Sequence, residues 1–171
     1  MTTPISEETI DDYTHNTTPW AEVDQLLIDN PPGHGRSYWL STTNADGSPH
    51  AVGIGSIWFD RKFYVVSGDR TRKSRNLQRD PRCVISAQLP GLDLSVEGVA
   101  AKVTDEATLQ RVADALAQHG WGPTVRDGAF YHEFSAPSAG PPPWYLYEVT
   151  PTKAFGLGST EPGAATRWTF A

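Results

Sequence analysis

The stretch from Val65 to Arg82, VVSGDRTRKSRNLQRDPR, joins an apolar run that ends in small residues to a basic segment of helical length. Six of the chain's 14 lysines and arginines lie between Asp69 and Arg82, together with only two acids. The formal net charge of the protein is -6, so this cluster does not follow from a basic composition. The pattern predicts a strand, a tight turn and a short cationic helix that faces an anion.

The start of this helix is where the anion is expected. Arg72 and Lys73 fall in the predicted first turn, where the helix dipole disfavours each cation by roughly 0.3–1 kcal/mol. A bound phosphate reverses that preference, because first-turn N–H groups, a lysine and an arginine then converge on one negative group. Ser67 and Gly68 are small enough to let it approach. The alternative is a solvated basic helix that ends before Pro81, and spacing alone does not separate the two.

Length and composition indicate one globular domain. A chain of 171 residues can bury its core without a disulfide or a metal. Hydrophobic residues make up 38%, and no apolar run approaches the roughly 18 residues of a membrane-spanning helix. The N-terminal sequence MTTPISEETIDDY resembles neither a secretory signal nor a transit peptide. We expect a cytoplasmic protein, and the acidic overall balance argues against binding to nucleic acid.

Several kinds of reactive site are not expected. Cys83 is the only cysteine, and its neighbours Val84 and Ile85 indicate a buried strand position. Metal-ligand spacing is absent among the five histidines, His15, His34, His50, His119 and His132. The stretches GIGSIW at Gly53 and GLGSTE at Gly156 lack the third glycine of a dinucleotide-binding fingerprint. We therefore predict no catalytic residue and no metal, and expect an enzyme here to rely on a bound cofactor.

Strand signals dominate the remaining sequence. Besides the basic helix, helices are predicted over Trp20–Ile28 and from Asp105 to about Gln118. Strands are predicted at Ser37–Thr42, Pro49–Phe59, Phe63–Ser67, Cys83–Gln88, Leu94–Thr104, Tyr145–Thr150 and Lys153–Gly156. Short antiparallel strands with few helices favour a mainly-β fold, a small β-barrel with flanking helices. Residues 1–19 are predicted as a polar N-terminal tail and residues 20–171 as a single barrel domain.

The segments SPHAVGIGSIWF, FYVVSGDRTRKSRNLQRDPRCVIS, LSVEGVAAKVTD and ATRWTF, in this order, carry a resemblance. They resemble the split β-barrel family of pyridoxamine 5'-phosphate oxidase-like proteins and flavin/deazaflavin oxidoreductases, over about residues 20–170. The resemblance implies an antiparallel Greek-key barrel like that of FMN-binding proteins. It also implies a homodimer that binds FMN or the deazaflavin coenzyme F420 between its subunits.

The resemblance further implies a set of cofactor-binding residues. Arg72 and Lys73 would hold the phosphate, and the strand from His50 to Gly55 would run along the ring. The complete set is His50, Val52, Gly53, Ile54, Val66, Ser67, Arg72, Lys73, Asn76, Gln88, Arg167 and Trp168. Alternatives remain open: the glycines can mark a bulge or bend, Asn76 can be structural, and Arg167 and Trp168 can be a surface charge and a packed ring.

The choice of cofactor rests on charge. Coenzyme F420 carries an acidic oligoglutamate tail, and Arg70, Arg75 and Arg79 exceed what one phosphate needs. Arginine outnumbers lysine ten to four, as expected from a GC-rich genome such as that of an actinobacterium. The arginine-rich C-terminal signature of vitamin B6 oxidation is missing. F420 is therefore favoured, with FMN as the alternative.

The predicted activity is hydride transfer from reduced F420 to an unsaturated or electron-poor small organic substrate. The region from Trp121 to Pro143 is too long for an ordinary connector, so it is predicted to be a lid, a binding wall or disordered. Trp121, Tyr131 and Trp144 are candidates for a substrate wall, and Tyr131, His132 or solvent for a proton source. An FMN-dependent oxidoreductase and a non-catalytic flavin-binding protein are the alternatives.

Overall fold

The computed structural model describes residues 3–33, 35–161 and 163–171. Its described residues form three α-helices, α1 (Trp20–Asp29), α2 (Arg72–Arg79) and α3 (Glu106–Gln118). The strands are β1 (Pro4–Thr9), β2 (Tyr38–Thr43), β3 (Pro49–Ile54), β4 (Ser56–Phe59), β5 (Lys62–Ser67), β6 (Arg82–Leu89), β7 (Leu92–Lys102), β8 (Thr124–Arg126), β9 (Ala129–Tyr131), β10 (Tyr145–Gly158) and β11 (Ala165–Phe170). A 3-10 turn covers Pro137–Ala139. The mainly-β prediction is confirmed.

A closed ring of antiparallel strands forms the centre of the molecule. The predicted strand Pro49–Phe59 is divided at Gly55, so that β3 pairs with β2 and β4 pairs with β5. The ring continues from β5 through β10, β7 and β6 and returns to β2. Because β2, the bent β3–β4 strand and β5 follow each other and β6 then lies beside β2, the connection is a Greek key. The bent β3–β4 strand thus pairs with β2 before the bend and with β5 after it. The bend at Gly55 that permits this is the seam of the barrel.

The barrel interior is filled by alternate residues of its strands. Tyr38, Leu40, Phe63, Val96 and Val149 are among those fully buried there. Aromatic side chains close one end, where the Trp20 ring of α1 packs edge-on against other rings. Its centroid lies 6.1 Å from Trp58, 5.4 Å from Trp168 and 4.8 Å from Phe170.

The segment predicted as a polar tail includes a strand. β1 pairs with β11 from Pro4↔Phe170 to Thr9↔Thr166, and β11 pairs in turn with β10. Neither strand was predicted. β1 consists mostly of polar residues and exposes Ile5, so its place in the sheet depends on backbone pairing and leaves no alternation of buried side chains to detect.

β10 is one strand where the sequence predicts two. It runs unbroken over 14 residues, and the register of its pairing with β7 shifts between Pro151 and Lys153. Pro151 cannot donate a ladder hydrogen bond, which makes the sequence look interrupted. A β-bulge absorbs the irregularity and the strand continues.

The second packing layer lies outside the barrel. Leu109, Val112 and Ala113 of α3 pack with Ile57, Tyr64 and other buried apolar residues. The long region after Trp121 is ordered into the β8–β9 hairpin and the 3-10 turn, and its Phe130 forms an isolated bridge with Trp144. None of the helices in the described part of the chain is long and apolar enough to cross a membrane.

Candidate functional site

A cleft of about 450 Å³ lies at the seam of the barrel. It is bounded by the bend at Gly55, by the start of α2, and by a wall. The wall comes from Pro31 and Pro32, the end of α3 with Trp121, and the segment from Phe134 to the 3-10 turn. Its lining residues are Pro31, Pro32, Gly53, Ile54, Gly55, Ser56, Ile57, Val66, Lys73, Leu116, His119, Trp121, Phe134, Ser135, Ala136 and Ala139.

The floor of the cleft has no side chain at two positions. A β-carbon added to Gly53 or to Gly55 would meet no atom within 4 Å, so open space lies above both. β3 pairs only with β2 among the described strands, which leaves one edge of its backbone without a strand partner. Gly55 thus marks the bend of the strand, and both glycines leave open space above the backbone of β3.

Lys73 brings a positive charge into the cleft. It lies in the first turn of α2, and only 5% of its surface is exposed. Burial lowers the pKa of Lys73 from its ordinary value, because the charged ammonium loses hydration. An anion in the cleft would favour the charged form and offset that effect. The first turn of α2 contains no acidic residue that would compete with such an anion.

A chain of hydroxyl groups fixes the start of α2. Thr71 caps the helix by accepting a hydrogen bond from the backbone N–H of Ser74 at 3.3 Å. The Ser74 hydroxyl donates to Ser67 Oγ at 2.8 Å, and Ser67 Oγ lies 2.8 Å from Thr71 Oγ1. Ser67 is buried and does not line the cleft. Its hydroxyl thus fastens α2 to β5, which places Lys73.

Gly68 makes room for the 3-10 turn. A β-carbon at this position would come within 2.5 Å of the backbone oxygen of Ala139. The close approach that Gly68 permits is therefore that of the 3-10 turn, which forms part of the cleft wall. The turn after β5 and the wall pack directly against each other.

Asn76 is buried and holds α2 in place. Its side-chain amide donates hydrogen bonds to Thr42 Oγ1 and to Asn44 Oδ1, each at 3.0 Å. Arg79, one turn later, donates to the backbone oxygen of Thr43. These contacts favour the structural reading of Asn76.

The remaining predicted residues of β3, β5 and α2 divide between the cleft and other places. Gly53, Ile54 and Val66 line the cleft. Val52 packs against the barrel core, and His50 on the same face does not line the cleft. The arginines Arg70, Arg72 and Arg75 are exposed near the start of α2, and none of them forms an ion pair with a described residue.

Three predicted residues lie elsewhere in the chain's own structure. Gln88 lines a groove of about 980 Å³ on the outer face of the sheet, beside Trp39 and Leu157. Arg167 forms a 2.5 Å ion pair with Glu8 and lowers the pKa of that carboxyl. Trp168 is fully buried, and its Nε1 donates to the backbone oxygen of Thr18 at 3.1 Å. A β-carbon at Gly156 would come within 2.6 Å of the Trp168 ring, so this glycine makes room for the ring.

The wall contains residues that the sequence did not single out as site residues. Trp121 lines the cleft as predicted, together with Pro31, Pro32, Leu116, Phe134, Ser135 and Ala136, which were not predicted, and His119, which was considered only as a metal ligand. Tyr131 instead stacks with Arg126 at 4.1 Å, and Trp144 is buried in the outer apolar layer. Phe134, Ser135 and Ala136 fall in the region from Trp121 to Pro143, for which a binding wall was one of the predictions. Pro31, Pro32, Leu116 and His119 come from other parts of the chain and share no spacing with that region, so no local signal could have found them.

Two other chemistries receive no support within the described ranges 3–33, 35–161 and 163–171. These residues contain no group of three histidine, cysteine or acidic side chains that could hold a metal ion. Cys83 is buried, and burial raises the pKa of its thiol to about 12. At neutral pH it is a packed apolar group.

Solved structures similar to this chain share its fold. An FMN-binding protein from Nostoc punctiforme, related to pyridoxamine 5'-phosphate oxidase, gives a TM-score of 0.58 at 19% identity over 86% of this chain and 89% of its own. A FAD-binding protein from Mesorhizobium loti gives 0.55 at 18% identity, over 96% and 99% of the two chains. An F420 reductase gives 0.50 at 21% identity, over 75% and 92%. At these identities the likeness shows the fold alone.

The sequence itself identifies the family. A search among curated protein sequences gave no match. Residues 34–156 match the family described as pyridoxamine 5'-phosphate oxidase. This range contains all of α2 and the whole barrel except the end of β10. The chain therefore belongs to the pyridoxamine 5'-phosphate oxidase family of flavin-binding oxidoreductases, as the resemblance predicted.

Proposed function

We propose that the protein is an oxidoreductase that binds coenzyme F420 and transfers a hydride from its reduced form to an unsaturated or electron-poor small organic substrate. The observation that carries this proposal is the combination of a floor without side chains at Gly53 and Gly55 with the buried ammonium of Lys73 in one cleft. A flat ring joined to a phosphate has a matching shape and charge.

The chain's own residues would bind and orient the coenzyme. Arg72, Lys73 and the N–H groups of the first turn of α2 would hold the phosphate. Gly53 and the unpaired edge of β3 would lie along the ring, with Ile54 and Val66 beside it. The coenzyme supplies the hydride chemistry when bound, and the apolar wall would exclude water from the ring.

Charge favours F420 over FMN. Arg70, Arg72 and Arg75 are exposed near the start of α2, next to the expected phosphate position. They could attract the acidic tail of F420, which FMN lacks. FMN is the second candidate, because it carries the same kind of phosphate and flat ring, and a structural neighbour is described as FMN-binding.

We also propose that the protein is a homodimer. Gln88 does not line the cleft of its own chain, so any contact it makes with a cofactor would come from a partner subunit. The groove that contains it also exposes Trp39 and Leu157, large apolar side chains on one sheet face. A second copy of the chain would cover them. Light scattering tests this, and a monomer that binds cofactor tightly would contradict it.

The decisive experiment is a fluorescence titration of cofactor-free protein with F420 and, separately, with FMN. Lys73→Met is compared with Lys153→Met, because Lys153 is exposed on β10 and lies outside the cleft. We expect preferential binding of F420, a loss of affinity in Lys73→Met and none in Lys153→Met. Preferential FMN binding would support the second candidate, and binding of neither would overturn both.

A further inference from the structure

We infer that the wall side of the cleft is a subsite for a flat, uncharged aromatic or conjugated substrate, and that Phe134 selects it. The inference rests on the proposed function, because that function assigns the floor at Gly53 and the charge of Lys73 to the coenzyme. What remains of the lining is the wall formed around Trp121 and Phe134.

The Phe134 ring is held in an exposed position at the cleft. Its side chain lines the cleft, yet the residue is 62% exposed. Two hydrogen bonds fix its backbone: the N–H donates to His132 Nδ1 at 3.2 Å, and the carbonyl oxygen accepts from Trp121 Nε1 at 2.8 Å. The ring also stands edge-on to His132, with centroids 4.6 Å apart and planes at 88°.

These contacts hold the backbone of Phe134 beside the cleft, and shifting that backbone into the apolar layer with Trp121 would break both hydrogen bonds. An aromatic ring that is held by polar contacts beside a cleft keeps its face available to a ligand. The aromatic side chain of Tyr13 differs, because it is 93% exposed and lines neither this cleft nor the groove that contains Gln88.

The charges of the lining determine the substrate class. Lys73 and His119 are the ionisable side chains among the described residues of the cleft, and Lys73 is assigned to the phosphate. The described lining contains no aspartate, glutamate or arginine that could pair with a charged substrate. Burying an unpaired charge against apolar groups is costly, so an uncharged molecule fits best. The aromatic wall and the floor without side chains favour a flat one.

The test is equilibrium dialysis with three probes of similar size. The probes are 2-acetylnaphthalene, which is flat and neutral, 2-naphthoate, which is flat and anionic, and 2-adamantanone, which is neutral and globular. We expect the wild-type protein to prefer 2-acetylnaphthalene. Phe134→Ala should weaken its binding by roughly three- to tenfold, as expected for an aromatic contact, whereas Tyr13→Ala should leave it unchanged. Thermal unfolding of both variants checks that the fold is kept.

The dialysis is run with and without bound coenzyme, so that the two proposals fail separately. If neither F420 nor FMN binds, the proposed function fails, and Phe134 dependence in the cofactor-free protein still decides the subsite. If coenzyme binds but the three probes bind equally, or Phe134→Ala binds like wild type, the subsite is overturned and the proposed function stands.

Discussion

The side-chain amide of Asn76 donates a 3.0 Å hydrogen bond to Thr42 Oγ1 and so joins α2 to β2. Lys73 lies three residues earlier on the same buried face of the helix. The position of the ammonium in the cleft therefore depends on a contact made about one turn further along the helix.

Asn76→Ala should destabilise the protein. The change removes one buried and one partly buried hydrogen bond and leaves the Thr42 hydroxyl without this donor, for which we expect a loss of about 1–3 kcal/mol. Urea denaturation measures it. Arg75→Ala is the control, because Arg75 is exposed on the same helix, and a surface change there should cost less than about 0.5 kcal/mol. Equal stability of the two variants would contradict the structural role of Asn76.

Gly53→Ala should weaken coenzyme binding, whereas Gly156→Ala should destabilise the fold. The β-carbon at Gly53 meets open space, so we expect a normal thermal midpoint but weaker binding of the flat coenzyme. The β-carbon at Gly156 would collide with the Trp168 ring, and overpacking of this kind costs about 1–3 kcal/mol. Thermal unfolding and coenzyme titration on both variants provide the comparison. A Gly53→Ala protein that binds coenzyme normally would show that the ring lies elsewhere.

Lys73→Met should weaken coenzyme binding by roughly 1.5–3 kcal/mol, as expected for a lost charge-assisted contact. It should also change how stability depends on pH. The pKa of Lys73 is lowered in the folded protein, so between that value and 10.5 the unfolded chain binds more protons. Stability of the coenzyme-free protein should therefore rise with pH in this window, and Lys73→Met should lose that increment. Identical pH profiles of the two proteins would contradict a buried ammonium.

Cys83 should resist thiol reagents in the native protein. Its thiol is buried and its pKa is raised to about 12, so almost no thiolate exists at pH 8. We expect no reaction with a disulfide reagent until denaturant is added, followed by modification of one thiol per chain. Rapid modification of the folded protein would show that β6 opens easily.

The sequence predicts the features that are encoded locally. Alternation of apolar residues and the turn at Asn44–Gly47 reveal β2 and the strand after it, and the cations around Lys73 reveal the start of α2. The order of the motifs then identifies the family. These signals come from residues that are close together in the sequence, so they can be detected without a structure.

Other features arise only when distant segments meet. The cleft wall combines Pro32, His119 and Phe134 from three parts of the chain. β1 joins the sheet through backbone pairing, for which its side chains give no signal. The resemblance assigns Arg167 and Trp168 to cofactor binding. In the structure Arg167 pairs with Glu8 and Trp168 packs in the core. The role of each of these side chains is set by the residues that it contacts in the folded protein.

The bend at Gly55 has a mechanical consequence. β3 pairs with β2 and β4 pairs with β5, so the ring is closed at Gly55 by the backbone itself, where the two strand segments part. A molecule bound at the bend would contact both β3 and β4 and hold the two strand segments together. Hydrogen exchange should therefore be fastest at β3 in the cofactor-free barrel and slow markedly there when the coenzyme is bound.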